Sequence, residues 1–128
     1  MSVSAIRGAL ATALGTAGVK RVYKFSDGGL TPPAAEVALD GITYDAAMRG
    51  SADRYTFMIR LYVGRADDRS AVDALDALLV LVPAAINTDP TLGGVCDTAR
   101  VVEARNYGAY QVDAATLLGV EFLVDVVL

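Results

Sequence analysis

The stretch from Asp53 to Val63, DRYTFMIRLYV, constrains this chain more than any other. Tyr55, Phe57, Ile59, Leu61 and Val63 alternate with Arg54, Thr56, Met58, Arg60 and Tyr62. A period of two in aromatic and β-branched residues predicts a strand with one face in a core. At about 3.3 Å per residue the stretch reaches roughly 36 Å, a length that predicts a central place in a sheet. A slip of one residue would turn Arg60 into the core, so the register is strongly specified. The second face is not that of a purely solvated strand, because Met58 and Tyr62 flank Arg60.

Leu117 to Leu128 repeats the pattern. Leu118, Val120, Phe122, Val124, Val126 and Leu128 are predicted to face the core, with Leu117, Gly119, Glu121, Leu123, Asp125 and Val127 opposite. Glu121 and Asp125 carry the charge that Arg60 lacks. If the two faces meet, within a sheet or across a subunit boundary, Arg60 has carboxylate partners at hand. Apolar residues make up 54% of the chain and charged ones 20%, and the mean hydropathy is +0.42. That excess over a usual soluble composition reads as surface covered by another protein chain. The candidate interface residues are Met58, Arg60, Tyr62, Glu121 and Asp125, with Tyr107 and Tyr110 from the aromatic segment Tyr107 to Val112.

The remaining segments complete an α+β pattern. Val3 to about Ala17 predicts a helix striped by Ile6, Leu10 and Leu14, capped by Ser2 or Ser4 and ended by Gly15 and Gly18. Arg21 to Phe25 predicts a strand. Ser26-Asp27-Gly28-Gly29 predicts a turn, and Pro32-Pro33 an extended link. Ala34 to Leu39 predicts a strand, Asp40-Gly41 a tight hairpin turn, and Ile42 to Tyr44 a short continuation. Asp45 to Ala52 lacks periodicity and predicts a loop. Ser70, with Asp73 three residues on, predicts the start of a second helix, interrupted at Pro83. Val72, Leu75, Leu78, Leu79 and Val82 form its predicted core face. Ala84 to Asp89 predicts one more turn, and Val95 to Asn106 a strand whose alternation breaks at Val101-Val102, which fits a bulge or a strand covered on both sides. Asp113-Ala114-Ala115 is the expected connection to the last strand. The fold class is therefore α/β (α+β): one domain over 1–128, with a mixed, mainly antiparallel sheet of about five or six strands flanked by two main helices.

Several chemistries are excluded by residue type. The chain has no His and one Cys, so no imidazole base, His metal site, catalytic triad or CxxC pair can form. Val95 and Asp97 offer no cation to Cys96, which predicts an inert thiol. Asp67-Asp68 beside Arg69 reads as a solvated turn, and Asp73 with Asp76 as a first helical turn favoured by the helix dipole. No GxGxxG or P-loop is present. No enzyme activity, cofactor or metal is expected. The eleven basic residues are scattered and the net charge is −4, which argues against stable duplex binding. No apolar run reaches the roughly 18–20 residues that span a bilayer, and the start, with Arg7 alone, does not read as a secretion signal. No membrane partner is expected.

The order of elements, with Pro32-Pro33, Asp53-Arg54-Tyr55, the Ser70 to Leu79 helix, DPTLGG at Asp89 to Gly94, ARVVEARNYG and the closing GVEFLVDVVL, resembles the tail terminator (minor tail or tail completion) proteins of long-tailed phages. The likeness spans nearly the whole chain and rests on overall pattern. It implies an α/β fold and a homo-oligomeric ring, a hexamer. The ring would cap the tail tube protein, end its polymerisation and face the head–tail connector proteins, with DNA only passing through the lumen. It also implies a virion location, in the tail or neck, after assembly in the host cytoplasm. Alternatives are another neck or head-completion connector, or a small cytoplasmic ligand-binding domain. On this reading, with Arg60 facing outward, Arg60→Glu is expected to leave folding largely intact while impairing ring or tail assembly.

Overall fold

The computed structural model describes residues 3–19, 21–23, 32–44, 53–112 and 115–127. Helix α1 (Val3–Thr16) leads to strands β1 (Arg21–Tyr23), β2 (Ala34–Thr43) and β3 (Arg54–Arg65). Helix α2 (Arg69–Asn87) then leads through a short 3-10 turn (Leu92–Gly94) to β4 (Thr98–Val112) and β5 (Ala115–Val127). The five strands form one mixed sheet in the order β1-β2-β3-β5-β4. β1 runs parallel to β2 and the other pairings are antiparallel. The two strands with the strongest alternation, β3 and β5, are central neighbours. A two-sided pairing satisfies the backbone of a long strand and leaves the edges to others.

Both helices pack on one sheet face. α1 presents Ile6, Leu10 and Leu14, each fully buried, and α2 presents Ala71, Leu75, Val82 and Ile86. They join Phe57, Ile59 and Leu61 of β3 and Val120, Phe122, Val124 and Val126 of β5 in a single apolar cluster. α1 ends where Gly18 takes φ +106°; the Val19 N–H then returns to the Leu14 carbonyl at 3.0 Å. That left-handed cap suits a residue without Cβ.

Several predicted boundaries move. Asp40-Gly41 does not reverse the chain: β2 runs through it, paired with β3 on both sides, with a register shift between Leu39 and Gly41. A glycine beside an unpaired residue accommodates a bulge as readily as a turn, and the β3 partner strand decided between them. α2 begins at Arg69, not Ser70, and its cap is Asp68 rather than a Ser70/Asp73 box. The Asp68 carboxylate accepts the Ser70 N–H at 3.0 Å and the Ser70 hydroxyl at 2.8 Å, which hold its pKa below the usual value. Pro83 does not interrupt α2, which continues to Asn87. An interior proline costs about 3 kcal/mol, but burying Val82 and Ile86 returns roughly 1.5–3 kcal/mol each.

Val72, assigned above to the α2 core face, is exposed at 37%. The segments Val95 to Asn106 and Tyr107 to Val112 are one strand from Thr98 onward, with shifts between Val101 and Glu103 and between Arg105 and Gly108. The first of these decides Val101-Val102 for a bulge over a strand covered on both sides. Ser2, the Lys24 and Phe25 end of the predicted first strand, the Ser26 to Gly29 turn, the Asp45 to Ala52 loop, Asp113-Ala114 and Leu128 lie outside the described residues.

Candidate functional site

The face of the sheet opposite the helices carries Met58, Arg60 and Tyr62 on β3. Register places four charged residues in one row across it: Glu36 of β2 opposite Arg60, Arg60 opposite Glu121 of β5, and Glu121 opposite Arg105 of β4. The signs alternate along the row. Arg60 Nε donates to Glu121 Oε2 at 3.0 Å, and its Nη1 lies 3.8 Å from Glu36 Oε1. Arg105 Nε stands 3.9 Å from Glu121 Oε1, which also accepts the Asn106 Nδ2 amide at 2.7 Å. The expected Arg60–carboxylate pairing thus forms within one sheet, with Glu121 as the partner. Asp125 instead accepts a long 3.5 Å bond from Thr56. It lines a cavity of about 210 Å³ with Arg54, Thr98, Arg100 and Val127.

Glu121 is the buried charged residue among the described residues, 6% exposed. Burial pushes its pKa up, but the Asn106 and Arg60 hydrogen bonds outweigh that and hold the carboxyl below the usual range. Arg60 is raised by its bond to Glu121 against the opposing effect of burial. A carboxylate with charge-assisted donors on both oxygens is satisfied, and nothing here is poised to move a proton. The folded chain therefore binds the Glu121 proton less readily than the unfolded chain. The stability it contributes is complete above the ordinary glutamate value of 4.5 and is lost as pH falls through the lowered folded value. Urea midpoints measured between about pH 6 and pH 3 should fall at the acid end, and the Glu121→Gln variant should show a shallower fall.

One row further, Tyr62 packs edge-on to Tyr110, with ring centroids 5.5 Å apart and planes at 79°. Both rings border Gly119. A Cβ there would lie 2.6 Å from the Leu61 carbonyl oxygen, 2.9 Å from Tyr62 Cδ1 and 3.1 Å from Tyr110 Cδ1. The Tyr110 hydroxyl donates to the Asn106 carbonyl. Asn106 holds φ +56° inside the second β4 bulge, a conformation asparagine tolerates better than most residues. The bulge re-aims its amide at Glu121.

These contacts place the candidate interface residues. Met58, Tyr62 and Glu121 are 9%, 7% and 6% exposed in the single chain, so their apolar and charged groups are already covered. Arg60 keeps 46% of its side chain exposed and Tyr107 is 45% exposed. Tyr107 is not part of the charged row: its hydroxyl donates to Asp76 of α2 at 3.0 Å. Glu36, Arg105 and Asn106 complete the row and were not singled out by sequence. Glu36 had a signal, as the one charge in the apolar run AAEVAL. Asn106 had none, because only the bulge aims it.

The row adds a stability cost to the expectation for Arg60→Glu. The substitution removes the buried carboxylate's guanidinium and adds a third acid beside Glu36 and Glu121. With Arg60 half-exposed, the cost should be about 1–3 kcal/mol, read as a lower urea midpoint, whereas Arg60→Lys should recover part of it.

Among the described residues no group of three His, Cys, Asp or Glu side chains is placed to hold a metal ion. Cys96 is buried, and burial and the nearby Asp97 push its thiol pKa up. No protein-family model matches the chain, and a search of curated proteins finds no match.

Proposed function

We propose that this chain is a structural virion protein that forms a ring on the end of a phage tail tube, ends tube polymerisation and joins the tail to the head connector. The observation that carries the reading is the outward side of α2. Val80 is 69% exposed and Leu81 48%, on a helix long and apolar enough to cross a membrane by length and composition alone. Large apolar side chains left exposed on such a helix support a place where another chain sits. Two further features support it: the mixed sheet flanked by two helices has the architecture that the likeness to tail terminators implies, and a net charge of −4 suits a protein past which DNA must move without being held.

Electron microscopy of the purified chain, alone and mixed with tail tubes, tests the reading. Rings, or a cap at one tube end, are the expected result. A chain that stays monomeric with both tube and connector proteins present overturns it. Docking on tail-less heads rather than on free tails would assign the chain to the connector instead.

A further inference from the structure

Basic residues that are scattered along the sequence are gathered by the fold. Register places Arg21 of β1, Arg54 and Arg60 of β3, and Arg100 and Arg105 of β4 on the sheet face turned from the helices. Each of these arginines is exposed. The acids that register places on the same face sit deeper: Glu121 is buried, Glu36 and Asp125 are half-buried, and Glu103 is exposed. Guanidinium heads therefore form most of the outer layer, with carboxylates beneath them. The helix side has the opposite sign, with Asp68, Asp73, Asp76 and Asp89 exposed against Arg69 and a half-buried Arg7. Arg65, at the end of β3, is held by Asp67 at 3.6 Å. A chain of net charge −4 is thus electrically two-sided.

The arginines of the sheet face are not equivalent. Arg60 and Arg105 are partly neutralised by Glu36 and Glu121. Arg54 and Arg100 form no ion pair among the described residues, and they line one cavity of about 210 Å³ with Thr98, Asp125 and Val127. Arg54 shares a row with Val127 and Thr98, and Arg100 lies two residues further along β4. At about 4.8 Å per strand and 3.3 Å per residue their backbones are roughly 12 Å apart, a gap that two arginine side chains can close upon one phosphate group.

The composition of the face selects its partner. A protein interface has an apolar core, but here Met58 and Tyr62 are 9% and 7% exposed and Leu123 is half-buried. The exposed Val80 and Leu81 lie on α2 instead. Interfaces with nucleic acid are polar and positively charged, and the planar arginine fork matches phosphate oxygens. We propose that the sheet face opposite the helices contacts the phosphate backbone of double-stranded DNA, with Arg54 and Arg100 as its unpaired cations. The choice of DNA rests on the tail reading above, in which DNA moves past the chain. Carboxylates beneath the guanidiniums and the negative charge of the whole chain keep the contact weak and salt-sensitive, and phosphate contacts carry no base sequence.

Fluorescence anisotropy of a short fluorescein-labelled DNA duplex, titrated with the chain across a range of salt, tests the contact. Wild type should bind at low salt, with log K falling against log salt at a slope of about −2 to −4. Arg54→Gln and Arg100→Gln should each keep the circular dichroism spectrum and melting temperature, weaken binding at least about threefold and reduce that slope by about 1. Arg69→Gln, on α2, should change neither affinity nor slope. Wild type that caps tail tubes yet shows no low-salt binding, or binding that survives both sheet-face substitutions together, overturns this contact while the ring stands. Displacement by poly-glutamate at a lower charge concentration than by unlabelled duplex would also overturn it and assign the face to an acidic protein. Duplex binding that depends on Arg54 and Arg100, in a chain that never caps tubes, would uphold the contact and remove the ring.

Discussion

Gly119→Val should cost about 3 kcal/mol or more and leave little folded protein at 37 °C, as measured by urea denaturation and by near-ultraviolet circular dichroism of the tyrosines. Gly119 lies in the middle of β5, where sequence rules would favour a β-branched residue. Three neighbours forbid one. A Cβ would approach the Leu61 carbonyl oxygen to 2.6 Å, and that is backbone of the adjacent strand, so it cannot swing aside. The Tyr62 and Tyr110 ring atoms at 2.9 and 3.1 Å are held by their mutual edge contact and by the Tyr110 hydroxyl bond to Asn106. Relief would require shifting β3 next to its register change between Tyr62 and Gly64. Gly119→Ala makes the same backbone contact and should be destabilising in the same direction by less. The rings also shelter the bare glycine backbone, as aromatic side chains do beside strand glycines. Tyr110→Ala should therefore soften the penalty of Gly119→Ala, and a double-mutant cycle should show coupling of about 0.5–1.5 kcal/mol. Additive losses would mean that Tyr110 is not what resists the added methyl.

Leu75→Ala should cost about 2–5 kcal/mol. Leu75 is fully buried on α2 and belongs to the same cluster as Phe122 and Ile59. The loss combines the transfer of its side chain with a cavity between helix and sheet that the rigid strands cannot close. A comparison within the same helix separates burial from helix propensity. Val80→Ala, at a side chain 69% exposed, should change stability by less than about 0.5 kcal/mol. Equal losses at the two positions would mean that α2 packs by a different face.

How much of this was legible in the residues varies from element to element. The alternation in β3 and β5 gave both strands and their faces, because side-chain direction in a strand follows position alone. The α1 stripe of Ile6, Leu10 and Leu14 was equally plain, while the broken alternation at Val101-Val102 left a bulge as one of two readings. Boundaries set by competition were not. Whether Pro83 ends α2 depends on what Val82 and Ile86 bury against, and whether Asp40-Gly41 turns or bulges depends on the β3 strand beside it. Neither partner is local. The opposite charges of Arg60 and Glu121 were visible, but whether they pair within one sheet or across a subunit boundary was not, and pairing within the sheet adds a stability cost to Arg60→Glu.

The amino-acid sequence by itself therefore determined the α+β class, the two central strands with their core faces, and the absence of imidazole and paired-thiol chemistry, since each follows from residue type and period. Only the tertiary structure decided which second-face residues are surface at all. Tyr62 and Glu121 looked outward by register, yet neighbouring strands bring Tyr110 against the first and Asn106 and Arg105 against the second. The exposed apolar side moved to α2, because a helix laid on a sheet can bury one stripe and must leave the other to solvent or to a partner.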